Sequence, residues 1–235
     1  MKKFGKYIFE IIAIFIGITA SFLVDEWRED AERRKDLEAN LRAIAHQLER
    51  DSTNSGKIIL YFDSITVKLS EVFVVDYYQV RPSNWPVLRD NLTDLGVKME
   101  RNSRAYQSFL QFNLSKYLKD DSVLLQLNHY YGYWQPLLFG YENEIIGRQE
   151  KIEDLMMKSI REHEAMVPVF SGDFASAAAA TRLIEADFNE LKRNTEFANY
   201  GSFSILFYRY LKRLHYRYID ENVRLRKLIK RELDS

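Results

Sequence analysis

One apolar run and one long amphipathic stripe open the chain. The run covers residues 7–24, YIFEIIAIFIGITASFLV, and carries a single charge, at Glu10. Apolar residues then recur at spacings of three and four over residues 37–72, which is the period of a helix with one buried face. Because Ser55 keeps this phase through a polar interruption, the pattern predicts one helix that continues to about Tyr77.

Polar breaks separate the next predicted elements. Two prolines within residues 81–86 predict a loop, and Asn102 or Ser103 is expected to cap the helix that follows. That helix should bury residues at helical spacing, namely Tyr106, Phe109, Leu110, Phe112 or Asn113, and Tyr117.

The second half of the chain also predicts helices. One opens at residues 120–122 and continues to about residue 164 with a kink at Pro136, and another begins at residues 177–180. Residues 194–199 mark a turn or a helix cap, and a last helix covers about residues 197–233.

These elements predict an all-α fold, in which an N-terminal transmembrane helix continues into an antiparallel bundle of long helices. Residues 1–24 form the membrane anchor, residues 25–80 a charged stalk and the first long bundle helix, and residues 81–235 the remaining helices of the same domain. Only nine Gly and four Pro occur in 235 residues, which argues against a turn-rich β architecture.

The run over residues 7–24 has the length and composition of a membrane span. Eighteen helical residues cover about 27 Å, close to a hydrocarbon core of about 30 Å. Tyr7 and Trp27 flank the run, where their rings suit the membrane interface. A cleaved signal peptide is the alternative, but apolar residues continue beyond the cleavage-like sequence at residues 18–20, so an uncleaved anchor is favoured.

One face of this span predicts association between helices. Glu10, Ala13, Gly17 and Ser21 follow one another at spacings of three and four, and the small residues allow close packing in a homo-oligomer. Glu10 has two interpretations: an intramembrane carboxylate that binds a cation or carries a proton, or an acid about one turn inside Tyr7 that reaches the headgroups. The second is favoured.

Orientation in the cell membrane is weakly encoded, because basic residues flank both ends of the run. The short basic N-terminus, with Lys2, Lys3 and Lys6, favours a cytoplasmic N-terminus and places the helical domain outside the cytoplasm.

The composition excludes several classes of function. Thirty-four basic and 34 acidic residues give a formal net charge of zero, so nucleic acid is not an expected partner. No cysteine is present, which excludes thiol chemistry and disulfides. The four histidines lack metal-ligand spacing, and REHE at residues 161–164 fails the zinc-protease pattern because residue 167 is Val. We therefore expect a non-enzymatic protein without a cofactor or a metal.

Three further features have a binding and a structural interpretation, and the structural one is favoured for each. Aromatic residues at 130–141 suit a helix core better than a pocket. The basic last helix suits a solvated face better than a lipid or nucleic-acid site. The acids Asp120, Asp121, Glu142 and Glu144 suit helix caps or solvated charges.

Several short motifs resemble a family. Glu10-Ile11-Ile12, then Ile16-Gly17-Ile18, then Trp27 in a charged stretch resemble the N-terminus of a Bacteroidota family of single-pass membrane proteins, catalogued as a domain of unknown function. The other similar segments are LEANL at 37–41, QLERD at 47–51, NSRAY at 102–106, LNHYY at 127–131 and NTEF at 194–197. The chain departs from the family at residues 6–9, KYIF, where the family has Gly before the Glu, and in a shorter basic N-terminus. The resemblance implies a helical protein anchored in a bacterial inner membrane, and it implies no catalytic activity.

The sequence therefore predicts a membrane-anchored scaffold or sensor that engages a protein partner and self-associates through its span. The alternative is an oligomeric ion- or proton-conducting assembly that uses Glu10, which a Glu10→Gln variant with altered conductance would reveal. An enzyme with an unrecognised site is a third hypothesis and would need convergent polar groups in a pocket.

Overall fold

The structure, a computed structural model, describes residues 2–73, 101–160, 184 and 186–234, with the side chains of residues 2–11 and of Ala13 outside that description. Every element in these ranges is helical, which confirms the predicted all-α class. The loop predicted at residues 81–86 and the helix start predicted at residues 177–180 lie outside the described residues.

Helix α1 (Lys2–Phe73) is one continuous helix of 72 residues. It passes through the polar segment at residues 52–56 without a break, as the phase of Ser55 predicts. The predicted stripe is its buried face, formed by Leu37, Leu41, Ile44, Leu48, Ser55, Ile58, Phe62, Ile65, Leu69 and Val72.

Helix α2 (Arg104–Gln111) is shorter than predicted. Asn113 has a φ of 52°, a left-handed conformation that Asn tolerates and that cannot continue a helix, and a 3₁₀ turn (Leu114–Tyr117) follows. The predicted burial is therefore correct for Phe109 and wrong for Tyr106, Leu110, Phe112 and Tyr117, none of which is fully buried.

Helix α3 (Asp121–His129) leads into a π-helical turn (Tyr130–Trp134) and then into helix α4 (Gln135–Ser159). Pro136 lacks the N–H that a regular helix would direct to the carbonyl four residues earlier, and a π turn lies just before this proline, where a kink is predicted. The prediction that this helix reaches residue 164 is wrong, because Ile160 is extended, with φ −108° and ψ 121°.

Residues 186–193 are helical, and helix α5 (Thr195–Asp234) completes the described chain. The Asn194 side-chain oxygen accepts hydrogen bonds from the backbone N–H of Glu196 at 2.9 Å and of Phe197 at 3.1 Å. Asn194 is thus the N-cap of α5, at the first residue of the segment predicted to hold a turn or a cap.

The chain groups into two compact units. Unit 1 comprises Met1–Leu48, Asn102–Asn128 and Arg224–Ser235, and unit 2 comprises Glu49–Arg101 and His129–Val223. Buried residues of unit 1 include Leu41, Ile44, Phe109, Leu127 and Leu225. Buried residues of unit 2 include Phe62, Leu138, Ile145, Phe188, Tyr208 and Leu211.

Helix directions within unit 2 follow from side-chain contacts. Three contacts join α1 to α5 in opposite chain order: Asp51 with Tyr218, Ser55 with His215, and Asp63 with Lys212. Three contacts join α4 to α5 in the same way: Gln135 with Tyr218, Glu142 with His215, and Arg148 with Phe203. Within this unit α5 therefore runs antiparallel to both α1 and α4, as the predicted antiparallel bundle requires.

Candidate functional site

The first candidate site is the apolar stretch, residues 7–24, within α1. Its large apolar side chains from position 12 onward are 48–70% exposed: Ile12, Ile14, Phe15, Ile16, Ile18, Phe22, Leu23 and Val24. Since consecutive helical positions point in different directions, these side chains surround the helix rather than forming one stripe.

The residues predicted to mediate association and to anchor the span all belong to α1. Ser21 is exposed, Trp27 is 75% exposed, and a Cβ placed on Gly17 would meet nothing within 4 Å. The side chains of Tyr7, Glu10 and Ala13 lie outside the described residues, so their predicted roles stay predictions.

Among the residues whose side chains the structure describes, no helix combines the length and the apolar character needed to cross a bilayer.

The second candidate site is a layer of polar side chains buried in unit 2, here called the polar layer. It is contributed by α1, the π turn, α4 and α5, with one residue, Arg101, from the segment before α2. Its members are Asp51, Ser55, Arg101, Tyr130, Gln135, Glu142, His215, Tyr218 and Asn222. Polar groups at these positions interrupt the apolar faces of α1, α4 and α5. Because they are buried, each of these groups needs a hydrogen-bond or ion-pair partner within the core.

Asp51 is the centre of one half of the layer. Its Oδ2 accepts hydrogen bonds from the hydroxyls of Tyr130 at 3.1 Å and Tyr218 at 3.2 Å, and from Gln135 Nε2 at 3.4 Å. Asn222 Nδ2 donates to the Tyr130 hydroxyl at 3.2 Å. The tyrosine rings stack with centroids 4.8 Å apart, which fixes both hydroxyls on one side of the carboxylate.

The π turn explains how two residues of one helix reach the same carboxylate. Tyr130 and Gln135 are five positions apart, which in an α-helix separates side chains by about 140°. The wider π turn brings positions five apart close together on one side. His129 and Trp134 show the same effect, since Trp134 Nε1 donates to His129 Nε2 at 3.0 Å.

Glu142 is the centre of the other half. It has no exposed surface, and its Oε1 lies 2.7 Å from Arg101 Nη2 and 3.5 Å from His215 Nε2. The Arg101 distance marks an ion pair, although its geometry falls short of a hydrogen bond. On its other side, His215 Nδ1 lies 3.3 Å from Ser55 Oγ. The prediction that Glu142 is a cap or a solvated charge is wrong.

The electrostatics of the layer follow from burial and from Asp51. Burial raises the pKa of the Tyr130 hydroxyl well above its usual value, and the neighbouring Tyr218 and the Asp51 charge add to the rise. Burial, followed by the Asp51 charge, also raises the pKa of Tyr218. Both tyrosines are therefore neutral hydrogen-bond donors to Asp51 over the physiological pH range.

This arrangement supports positioning more than chemistry. Three neutral donors occupy one oxygen of Asp51, and two cationic or protonatable groups face Glu142. Among the described residues no group of three or more His, Cys, Asp or Glu is arranged to hold a metal ion. A buried network of this kind favours one register of α1, α4 and α5, because a shift of any helix would leave buried polar groups without partners.

The other sequence candidates divide between core and surface. In the aromatic segment, Tyr130, Tyr131 and Trp134 are buried, whereas Tyr133 and Phe139 are about half exposed. Core packing therefore accounts for the first three, as the favoured interpretation states.

Among the acids, Asp120 accepts from the backbone N–H of Ser122 at 2.8 Å, which confirms it as a cap. A hydrogen bond with the Ser122 side chain, followed by this one to its backbone, lowers the pKa of Asp120. Glu144 is half exposed and pairs with Arg148 at 2.7 Å along α4, so it is a surface charge.

Comparison of the chain with protein-family models, with curated proteins and with solved structures finds no match. The family resemblance of the short motifs therefore stays a prediction.

Proposed function

We propose that the chain is a membrane-anchored helical scaffold or sensor. Residues 7–24 cross the membrane once, and the remaining helices present surfaces to a partner without catalysing a reaction. The single observation that best supports this proposal is the outward exposure of the apolar side chains between Ile12 and Val24.

Exposed apolar side chains around a helix need an apolar environment. Soluble proteins rarely leave such a contiguous apolar surface in water, and a lipid bilayer removes that cost. The eleven Ile, Phe, Leu and Val residues of the stretch contribute about −3 to −7 kcal/mol to insertion, against about +3 kcal/mol for Glu10 at mid-membrane.

The polar segment that follows is also consistent with an anchor. Arg28 pairs with Glu32 at 3.3 Å and Arg33 with Glu29 at 3.7 Å, both along the helix, and only Arg33 of the four is partly buried. Such pairs stabilise an isolated helix by about 0.2–0.5 kcal/mol each, so α1 can remain helical beyond the membrane surface without packing partners.

Alkaline extraction of membranes tests the anchor. We expect the full-length chain to stay in the membrane pellet after carbonate washing and a chain that begins at Asp25 to be released. Ile14→Lys with Ile18→Lys places two charges in the span, each costing about 3 kcal/mol, and should release the chain. The matched control is Ala31→Lys with Ala39→Lys, which adds the same charge to exposed positions of α1 outside the span. Release of the unaltered chain by carbonate would refute the anchor.

Cysteine labelling tests the orientation. Because the chain has no cysteine, Ser64→Cys gives a single thiol at an exposed position of α1. We expect a membrane-impermeant maleimide to label Ser64→Cys in intact cells and Lys3→Cys only after lysis. The reverse result would place the helical domain in the cytoplasm.

A further inference from the structure

The outward side of α5 within unit 2 is basic and aromatic. Between Glu196 and Asp220 this helix has no acidic residue. Its exposed residues in that interval include seven large side chains, here called the outer face of α5: Phe203, Leu206, Arg209, Tyr210, Arg213, Tyr216 and Arg217.

The three arginines of the outer face are not neutralised within the described part of the chain. Lys212, on the flank of the same helix, forms an ion pair with Asp63 at 2.5 Å. No acidic side chain among the described residues lies within ion-pair distance of Arg209, Arg213 or Arg217. Their charge is therefore available to a partner.

The arginines repeat every four residues. Four residues rise about 6 Å along a helix, so Arg209, Arg213 and Arg217 form a row about 12 Å long. A second helix with carboxylates at the same interval has the same repeat and can present one carboxylate to each guanidinium. Arginine suits this contact because its planar guanidinium binds a carboxylate through two parallel hydrogen bonds.

Apolar surface accompanies the charge. Phe203, Leu206, Tyr210 and Tyr216 are 42–60% exposed. Arginine together with exposed aromatic residues is the composition enriched at protein–protein interfaces. A groove of about 520 Å³ adjoins Phe203 and can receive an apolar side chain; it is lined by Arg148, Thr195, Glu196, Asn199, Tyr200 and Phe203.

We propose that the outer face of α5 is a docking surface for an acidic amphipathic helix of a partner protein. Carboxylates of that helix pair with Arg209, Arg213 and Arg217, and its apolar residues cover Leu206 and Tyr210. This inference goes beyond the membrane anchor and does not depend on it, since the surface belongs to unit 2.

Two other polyanions fit the same face less well. A helix that lies on a lipid surface inserts a continuous apolar face, but many apolar residues of α5 are packed in the core and the exposed ones are interspersed with arginines. Single-stranded nucleic acid needs free aromatic faces, but the Arg148 guanidinium covers Phe203 at 4.4 Å and Lys212 Nζ lies 5.9 Å from the Tyr216 ring.

Fluorescence anisotropy with defined probes tests the proposal. The full-length chain in non-ionic detergent is titrated into a labelled helical peptide with Glu at every fourth position and Leu between, and into the same peptide with Lys for Glu. We expect the Glu peptide to bind and the Lys peptide not to bind. Arg209→Glu, Arg213→Glu and Arg217→Glu together should weaken binding of the Glu peptide by about tenfold or more, because each pair becomes a repulsion.

A matched variant and competing probes decide the outcome. Lys227→Glu, Lys230→Glu and Arg231→Glu change the net charge equally at exposed positions elsewhere on α5 and should leave binding of the Glu peptide unchanged. Equal weakening by both triple variants, or no binding of the Glu peptide at low salt, overturns the proposal.

Tighter arginine-dependent binding of oligothymidylate or of phosphatidylglycerol vesicles overturns it in favour of that polyanion. A change of oligomeric state in the arginine variant alone overturns it in favour of a second copy. A matching helical circular dichroism spectrum shows that the variants are folded.

Discussion

Glu142 shows how a single buried charge can constrain a helical core. Its carboxylate has no exposed surface, and its two nearest charged or protonatable partners, Arg101 and His215, are themselves buried or nearly so. Removing one member of such a group leaves an uncompensated charge in a medium of low polarity, which costs more than the pair contributes.

Glu142→Gln should therefore destabilise the protein by about 3 kcal/mol, because Arg101 would remain buried without a counter-charge. The measurement is the free energy of unfolding in urea, followed by tryptophan fluorescence. Glu144→Gln, on the same helix but half exposed, is the matched control and should cost less than about 0.5 kcal/mol. An equal loss of unfolding free energy in the two variants would show that the buried ion pair of Glu142 and Arg101 does not stabilise the fold.

The tyrosines beside Asp51 predict a limit to stability at alkaline pH. Folding raises the pKa of Tyr130 and Tyr218, whereas the unfolded chain loses these protons at about pH 10. Above that pH the unfolded state binds fewer protons than the folded state, so stability falls as the pH rises. Their contribution is fully present below about pH 10 and is lost progressively above it.

Replacement of Tyr218 by Phe should make this alkaline decline shallower by up to about 1.4 kcal/mol per pH unit. Unfolding free energies measured between neutral pH and the alkaline limit give the slope directly. Tyr216→Phe removes an exposed hydroxyl and controls for the loss of a hydroxyl as such. An unchanged slope in Tyr218→Phe would mean that Tyr218 does not hold its proton in the folded state.

At the scale of elements, one close approach joins α1 to α5. Gly201 lies against the ring of Phe73, so a Cβ at this position would overlap the ring atoms. Phe73 cannot move freely, because its ring packs on Phe197 with centroids 5.2 Å apart. A residue larger than glycine here would require the Phe73 ring to shift, so the constraint is one of space and not of backbone conformation.

Gly201→Ala should destabilise the protein by about 1–3 kcal/mol through overpacking. Gly147→Ala gives the opposite sign, because a Cβ there meets nothing within 4 Å and alanine favours the helix by up to about 1 kcal/mol. Thermal unfolding monitored by circular dichroism compares the two variants. Addition of Phe73→Leu to Gly201→Ala should restore part of the lost stability, and a failure to do so would contradict the contact.

The helices that the sequence predicts well are those with an uninterrupted period. The stripe from Leu37 to Val72 is buried as predicted, because a three-four repeat over ten turns has no competing interpretation. The short segment around Asn113 was mispredicted, since a left-handed residue ends α2 where the apolar pattern alone allows it to continue. The presence of an asparagine does not decide whether the helix ends at this position, because asparagine also occurs inside helices.

Part of the polar layer could have been predicted from the sequence, because some of its residues occupy positions of the apolar stripes. Asp51 and Ser55 occupy stripe positions of α1, as His215, Tyr218 and Asn222 do in α5. Polar residues in phase with an apolar stripe indicate buried groups that need partners. Which residues satisfy them could not be predicted, because the π turn that brings Gln135 to Asp51 has no distinctive local sequence.

At the scale of the whole molecule, the proposed association through the span makes a separate prediction. Gly17→Ile should shift the full-length chain in detergent toward the monomer, because the bulkier side chain prevents the close helix approach that Ala13, Gly17 and Ser21 allow. Multi-angle light scattering gives the mass of the complex. Thr19→Ile adds similar bulk on the opposite side of the helix and should leave the mass unchanged. Assembly that persists in Gly17→Ile, or in a chain that begins at Asp25, would move the interface to the soluble helices.

The π turn has a consequence for how this protein can change in evolution. A single residue added to residues 130–134 would rotate everything after it by about 100° and carry Glu142 out of the core, whereas removal of one residue can turn the π turn into a regular α-helical turn and leave the later residues in phase. Point substitutions in the turn leave that spacing intact. Related chains that keep the polar layer should therefore not be longer in this segment, and an alignment that shows an insertion there should also show the charges of Glu142 and Arg101 lost together.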